Sequence, residues 1–137
     1  MTLTLPRLLI VFTALFLSAC TSQKSSPERH AKQAIYQMAR EDFSPEIRTQ
    51  IPDSIKASIP FFDQFYQMGK ADRAKGLTRQ QAQQREAYFR SPEFLSDVGK
   101  KGKFINQEYS VDNPKKQRQI LLDSAVATYW DGYDGRP

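Results

Sequence analysis

The sequence predicts a small all-α protein, an irregular bundle of about five short helices that follows a cleaved N-terminal signal peptide. Apolar residues recur at three- and four-residue spacings along most of the chain, as they do on one face of an amphipathic helix. The triplet Ser-Pro-Glu, typical of a helix start, occurs at 26–28, 44–46 and 91–93. Only residues 104–111 have a strand-like pattern, so helices should dominate the fold.

The first 19 residues have the order of a secretory signal peptide. Arg7 is followed by an uninterrupted apolar run at 8–17 and then by the small residues Ser18 and Ala19. A membrane-spanning helix needs about 20 apolar residues, which is more than this run provides. We therefore expect a signal peptide over residues 1–19 that is removed, rather than an uncleaved anchor.

Four residues at the end of this segment resemble the lipobox of a bacterial lipoprotein precursor: Leu17, Ser18, Ala19 and Cys20. The resemblance implies that the cysteine thiol is acylated and that the chain is cut before it. The alternative is a chance cysteine beside an ordinary cleavage site, although a lone exposed thiol is a liability outside the cytoplasm. Acylation of Cys20, the only cysteine, leaves none for a disulfide, so packing alone must hold the fold together.

The position after the cysteine bears on membrane sorting. Thr21 stands there instead of the aspartate that retains enteric-type lipoproteins at the inner membrane. The resemblance therefore implies a location in the bacterial cell envelope, anchored by acyl chains on Cys20 to the outer membrane and facing the periplasm.

The mature chain divides into a lipidated polar tether at 20–26 and a single helical domain at 27–137. The full sequence has a formal net charge of +5 at pH 7, and loss of Arg7 with the signal peptide leaves 19 basic and 15 acidic residues, a charge of +4. Because the basic residues are spread along the chain, we expect no specific nucleic-acid binding. The mild positive balance favours a weak attraction to anionic headgroups beside the anchor.

The first helix is expected to begin with Ser26 as its N-cap and Pro27 as its first residue, and to end near Glu41. Its only histidine, His30, is interpreted as exposed and incidental. The predicted core face holds the apolar residues at helical spacing: Ala31, Ala34, Ile35 and Met38.

The next segment contains two prolines. Pro52 and Pro60 are expected to break residues 47–59 into one or two short helical pieces. Isoleucines spaced four apart should seat these pieces on the core: Ile47, Ile51, Ile55 and Ile59.

An aromatic helix follows and should form the packing centre. Phe61, Phe65 and Met68 are predicted to share its core face, and Gly76 to end it. An aromatic groove for a ligand is the alternative interpretation, although an aromatic stripe at helical spacing usually packs in a core.

A polar, glutamine-rich helix is predicted over 79–90, begun by a capping box between Thr78 and Gln81. It offers few residues for contact with the core: Ala82, Tyr88 and Phe89. This pattern favours a solvated helix, with a partner-binding surface as the alternative. The basic turn at 98–103 lacks the spacing of a phosphate-binding loop.

The last helix is predicted over Lys115–Trp130 and should pack against the aromatic helix. Its expected core face and neighbouring positions are apolar: Leu121, Leu122, Ala125, Val126, Tyr129 and Trp130. Asp131 and Asp134 stand among glycines in the tail, but their spacing fits a calcium loop poorly. No catalytic, cofactor-binding or metal-ligating residue is predicted, and we expect a protein that is not an enzyme.

Two further segments, 51–56 and 129–137, together with the chain length and the lipobox at Cys20, resemble small Exc-type entry-exclusion lipoproteins of mobilisable colicinogenic plasmids. The resemblance implies a protein that sits in the recipient envelope and reduces uptake of a related plasmid. The lipobox, the tether and the lack of a predicted active site favour a lipid-anchored helical domain that acts by binding another envelope component. The alternative is a periplasm-facing enzyme or small-ligand-binding lipoprotein, which would need a deep pocket with converging ionisable groups assembled across helices.

Overall fold

The computed structural model describes residues 24–41, 48–94 and 114–137, and its long elements are all helices. They are α1 (Ser26–Arg40), α2 (Ile51–Ala74), α3 (Arg79–Phe89) and α4 (Pro114–Asp134). Residues 92–94 are also helical, and the described ranges contain no strand. The predicted all-α class is confirmed.

Several sequence-based predictions lie outside the described residues. They are the signal peptide at 1–19, its lipobox, the helix start at 44–46, the basic turn at 98–103 and the strand-like stretch at 104–111.

Helix α1 has the predicted core face but begins one residue earlier than expected. Ser25 occupies the N-cap position, and Ser26 is already the first helical residue. Ser26 is fully buried, so its hydroxyl points into the protein rather than capping the helix. The expected apolar stripe is confirmed as part of the core: Ala31, Ala34, Ile35 and Met38.

Helix α2 is continuous for 24 residues across Pro60, so the predicted break there is wrong. The predicted segment is interrupted just before Pro52, because Gln50 forms a turn between the helical residues 48–49 and the start of α2. Pro52 lies in the first turn, where its missing N–H would have had no partner within the helix. Pro60 lies inside the helix and deprives the carbonyl of Lys56 of its usual donor. Pro60 and Lys56 are both exposed, so Pro60 lies on the solvent side of α2 while the opposite face of the helix packs against the core. That tertiary packing outweighs the local preference to break.

The core face of α2 is rotated by about one residue from the predicted one. Its buried residues follow a 4-3-4-3 spacing: Ser58, Phe62, Phe65, Gly69 and Asp72. Phe65 is therefore placed as expected, whereas Phe61 and Met68 are only partly buried.

The rotation brings Gly69 against α4 at a very close crossing. A Cβ atom at Gly69 would lie 2.0 Å from the carbonyl oxygen of Tyr129, and one at Gly132 would lie 2.1 Å from that of Tyr66. Only glycine allows the two backbones to approach this closely.

Helix α3 follows a turn in which Gly76, with φ +78°, ends α2. The predicted capping box is confirmed, because the amide of Gln81 donates to the Thr78 hydroxyl and the Thr78 amide donates to the Gln81 side chain. Ala82 and Phe89 are buried, while Tyr88 remains 46% exposed.

Helix α4 extends to Asp134, one turn beyond the predicted end at Trp130. It packs most extensively on α2, which confirms the predicted pairing with the aromatic helix. Of the expected core residues, Ala125, Val126 and Tyr129 are buried, and Leu121, Leu122 and Trp130 are partly buried. Because Asp131 and Asp134 lie within the helix, they do not form a calcium loop.

Aromatic rings join three helices in the interior. The Phe89 ring lies 5.2 Å from those of Phe65 and Tyr129, and both pairs are edge to face. This geometry is a favourable one for ring pairs. The arrangement fits the core interpretation of the aromatic stripe.

Candidate functional site

The start of α1 and the end of α4 meet around the carboxylate of Asp131. We call this group of five residues the Asp131 cluster. Ser26, Arg29 and His30 donate hydrogen bonds to the carboxylate, and the side chain of Arg136 forms an ion pair with it. The Ser26 hydroxyl lies 2.7 Å from Oδ2, and His30 Nε2 lies 2.9 Å from the same oxygen. The interpretation of His30 as exposed and incidental is therefore wrong, since its side chain is only 15% exposed.

Helical spacing positions the donors from α1. Residues three and four apart share a helix face, so Ser26, Arg29 and His30 all point toward α4. His30 also stands four residues before Ala34 and eight before Met38, both buried, and so extends the core stripe to the N-terminal end of the helix.

A glycine turn at the end of α4 supplies the fourth partner of Asp131, which forms an ion pair with it. Gly135 has φ +73°, and the amide of Arg136 donates to the carbonyl of Asp131 at 2.8 Å. These are features of a Schellman ending, in which glycine adopts the left-handed conformation. The turn directs the chain back, so that Arg136 Nε lies 3.1 Å from Asp131 Oδ1.

Arg29 extends the cluster to both flanking segments. Its Nη1 atom donates to the carbonyl of Lys24 at 3.0 Å and also to the carbonyl of Pro137. The residues just before α1 and just after α4 are therefore held together at one end of the α1–α4 pair.

The electrostatics keep Asp131 ionised. Burial alone would raise the pKa of this carboxyl, but hydrogen bonds from Ser26 and His30 outweigh it and hold the pKa of Asp131 below its usual value. An ionised carboxylate only accepts hydrogen bonds, so His30 must carry a hydrogen on Nε2.

The cluster has the residue types of a hydrolytic triad but not its geometry. In a Ser-His-Asp triad the histidine lies between the serine and the carboxylate and removes the serine proton. Here Ser26 and His30 both donate to the same oxygen of Asp131, and Ser26 is fully buried. The arrangement suits a structural link between helices rather than nucleophilic catalysis.

A second buried carboxylate, Asp72, joins α2, α3 and α4. Arg85 binds it through two hydrogen bonds of 3.0 and 3.2 Å, and the Tyr129 hydroxyl donates at 2.9 Å. Burial opposes ionisation, but the Arg85 and Tyr129 hydrogen bonds lower the pKa of Asp72. Burial and the adjacent carboxylate raise the pKa of Tyr129. Asp72 thus stays ionised and Tyr129 stays protonated near neutral pH, so neither is suited to exchange a proton there.

A groove of about 490 Å³ lies beside Asp72 and opens broadly to solvent. Lys75, Gln84 and Tyr88 contribute to its lining. Asp72 itself is only 2% exposed behind Arg85, so a ligand in this groove would meet the arginine before the carboxylate.

The outer side of α1 forms a larger groove, of about 780 Å³, which we call the α1 groove. Its charged and aromatic lining residues are Lys24, Arg29, Lys32, Tyr36, Arg40 and Glu41. Tyr36 is 40% exposed, and Lys32 Nζ lies 5.8 Å from the centre of its ring. This groove combines positive charge with an accessible aromatic ring.

No family model, curated protein or solved structure matches this chain. Among the described residues, no helix has both the length and the apolar character needed to cross a bilayer. The same residues contain no group of three or more histidine, aspartate or glutamate side chains placed to hold a metal ion.

The predicted site residues are the lipobox residues Leu17, Ser18, Ala19 and Cys20, and all four lie outside the described part of the chain. The sequence pattern does not reveal the Asp131 cluster, because it places Asp131 in the tail and His30 in solvent. Helical spacing to buried residues does indicate that His30 and Asp131 each face the interior. His30 continues the row of Ala34 and Met38, and Asp131 stands three residues after Thr128, which is fully buried.

Proposed function

We propose that this protein is a lipid-anchored bacterial envelope protein that acts by binding rather than by catalysis. An acylated Cys20 would hold the helical domain at the outer membrane, facing the periplasm. Support for the anchor comes from the lipobox resemblance and the polar tether that follows it. Acyl chains on one cysteine can anchor a protein without a spanning helix.

The observation that carries the binding role is how the polar groups are distributed. The buried carboxylates Asp72 and Asp131 hold helices together through complete sets of partners. In the described ranges, no buried side-chain nitrogen or oxygen lacks a hydrogen-bond partner. Two large aromatic side chains in the described ranges are instead exposed, Tyr36 on α1 and Tyr88 on α3. Exposed tyrosines are frequent anchors of protein interfaces.

The face of α3 around Tyr88 is the proposed surface for a protein partner in the envelope. Its ring is supported by Phe94, with centroids 5.4 Å apart and an edge-to-face geometry. Exposed glutamines such as Gln84 lie on the same helix and can form hydrogen bonds across an interface.

The biological outcome we propose is entry exclusion, in which the protein reduces the uptake of a related plasmid by its host cell. This part of the proposal is supported by the resemblance to Exc-type lipoproteins. Conjugal transfer into recipients with and without the protein provides the test. Expression should lower the transfer frequency, and equal frequencies would refute the exclusion role.

The anchor is tested separately with Cys20→Ala. The variant should lose metabolic labelling with palmitate and leave the membrane fraction, whereas Ser22→Ala, two residues away, should behave as the wild type. A Cys20→Ala protein that stays in the membrane with unchanged mass would contradict the lipobox interpretation. Comparing exclusion by the two variants then shows whether membrane placement is required.

The partner surface is tested by placing a photo-crosslinking amino acid at position 88. We expect a discrete protein adduct from Tyr88 in intact cells. A probe at Gln67, an exposed position on α2, serves as the matched control. Equal adducts from both positions would show that α3 is not the specific surface.

A further inference from the structure

The structure points to a second contact with the membrane, and we propose that the α1 groove docks onto anionic lipid headgroups beside the anchor. This inference rests on the proposed lipid anchor at Cys20. It assigns the groove to the membrane surface and leaves the α3 face for a protein partner.

Charge is the first argument. Lys32 and Arg40 have no carboxylate partner among the described residues, although both line the groove. The one acidic residue in the lining, Glu41, is bound by Lys116 at 2.8 Å. The groove therefore presents positive charge that is not neutralised within the described part of the chain.

The contrast with α3 makes this feature specific. Helix α3 and its C-cap residue also carry arginines, but each is bound to a carboxylate: Arg79 to Asp134, Arg85 to Asp72, and the C-cap Arg90 to both Glu86 and Asp123. The arginines of α3 are thus paired with carboxylates, whereas Lys32 and Arg40 of α1 have no such partner among the described residues.

Reach is the second argument. Cys20 precedes Lys24 by four residues, and a fully extended chain covers at most about 3.6 Å per residue. Lys24 can therefore lie no more than about 14 Å from the acylated residue, and its carbonyl is bound by Arg29 of α1. The N-terminal part of the groove is consequently held within one or two Debye lengths of the headgroups, where basic residues are attracted to anionic lipid.

The aromatic ring is the third argument. Tyrosine is enriched where hydrocarbon meets water, because its ring is apolar and its hydroxyl is polar. Tyr36 lies one turn from both Lys32 and Arg40, so the ring could enter the headgroup layer while the two cations contact phosphates.

The test uses the acylated protein purified from membranes and reconstituted into vesicles. Because the chain has a single cysteine and its thiol is acylated, Gln33→Cys adds one reactive thiol in the groove. Gln83→Cys adds one on α3, where the position is also exposed. Each thiol carries a fluorophore, and a spin-labelled headgroup acts as the quencher.

Quenching at position 33 should be several-fold stronger in vesicles containing phosphatidylglycerol than in phosphatidylcholine alone. Quenching at position 83 should be the same in the two kinds of vesicle. The double variant Lys32→Gln and Arg40→Gln should abolish the difference, since each basic residue near an anionic surface contributes about fivefold in affinity. The control double variant Lys56→Gln and Lys70→Gln removes the same charge from exposed positions on α2 and should preserve it.

Three results would overturn the inference. The first two are equal quenching at position 33 in the two lipids and no effect of the groove double variant. The third is complete release of the groove from the vesicle surface by inorganic phosphate at constant ionic strength, which would indicate a site for free phosphate. The mass of the purified protein separates this inference from the proposed function. If Cys20 is not acylated, both the proposed anchor and the docking of the α1 groove are refuted. If Cys20 is acylated but the groove does not bind anionic lipid, only the docking is refuted.

Discussion

Replacing Gly69 with alanine should destabilise the protein, although the same change stabilises most helices. Alanine is favoured over glycine in a helix interior by about 1 kcal/mol. At this position the new methyl group would lie 2.0 Å from the carbonyl oxygen of Tyr129 and 2.7 Å from the amide nitrogen of Tyr133. Both are backbone atoms, so no side-chain rotation can relieve the contact and the helices must separate. We expect a net loss of about 2 kcal/mol, within the range for overpacked interiors.

The assay is urea denaturation followed by far-ultraviolet circular dichroism and by the fluorescence of Trp130, the only tryptophan. The exposed residue Ala71 on the same helix gives the matched control, because Ala71→Gly measures the propensity term alone and should lose about 1 kcal/mol. Gly132→Ala should resemble Gly69→Ala, and the double variant should lose less than the sum because either methyl group already separates the helices. A Gly69→Ala protein as stable as the wild type would refute the close crossing.

Three further predictions concern polar contacts. Asp131→Asn should lower the free energy of unfolding by about 1–3 kcal/mol, because buried donors lose their shared acceptor, and an unchanged urea midpoint would count against the cluster. Since folding lowers the pKa of Asp72 and Asp131, their contributions are complete above the unfolded-state pKa of about 3.9 and are lost as pH falls through the folded-state values. The urea midpoint should therefore drop from pH 7 to pH 3, and should drop less in Asp131→Asn; an equal drop would contradict this assignment. Thr78→Ala should cost about 1 kcal/mol and speed amide exchange at Gln81, whereas unchanged exchange there would argue against the cap.

The features that were predicted correctly from the sequence depend on local spacing. The α1 core stripe and the Thr78–Gln81 capping box each need only residues within one or a few helical turns, so periodicity and cap chemistry identify them. The same local argument failed at Pro60. A proline does disfavour the helix interior, but the packing of Phe62 and Phe65 on the opposite side holds the helix together.

Local patterns indicate that His30 and Asp131 each face the interior, but they do not show that the two residues meet, because the α1 partners precede Asp131 by about a hundred residues. Ser26 and His30 reach Asp131 only after α1 and α4 have packed in an antiparallel pair, an arrangement also seen at its other end, where Glu41 meets Lys116. A Ser-Pro-Glu start predicts a cap at the serine, and nothing within that triplet indicates that Ser26 is needed elsewhere. The buried face of α2 differs from the predicted one for a similar reason. It is set by the close contact of Gly69 with the backbone of α4, which is distant in sequence.

The contacts of Arg29 would have a mechanical consequence if the chain is tethered at Cys20, as proposed. A force applied at that anchor would reach the first turn of α1, where terminal helical residues ordinarily fray first. The first turn is bonded to α4 through Ser26 and Arg29, so we expect such a force to be shared with α4 before α1 unwinds. We therefore expect the helical domain to resist unfolding from its N-terminal end, because the first turn of α1 transfers the applied force to α4.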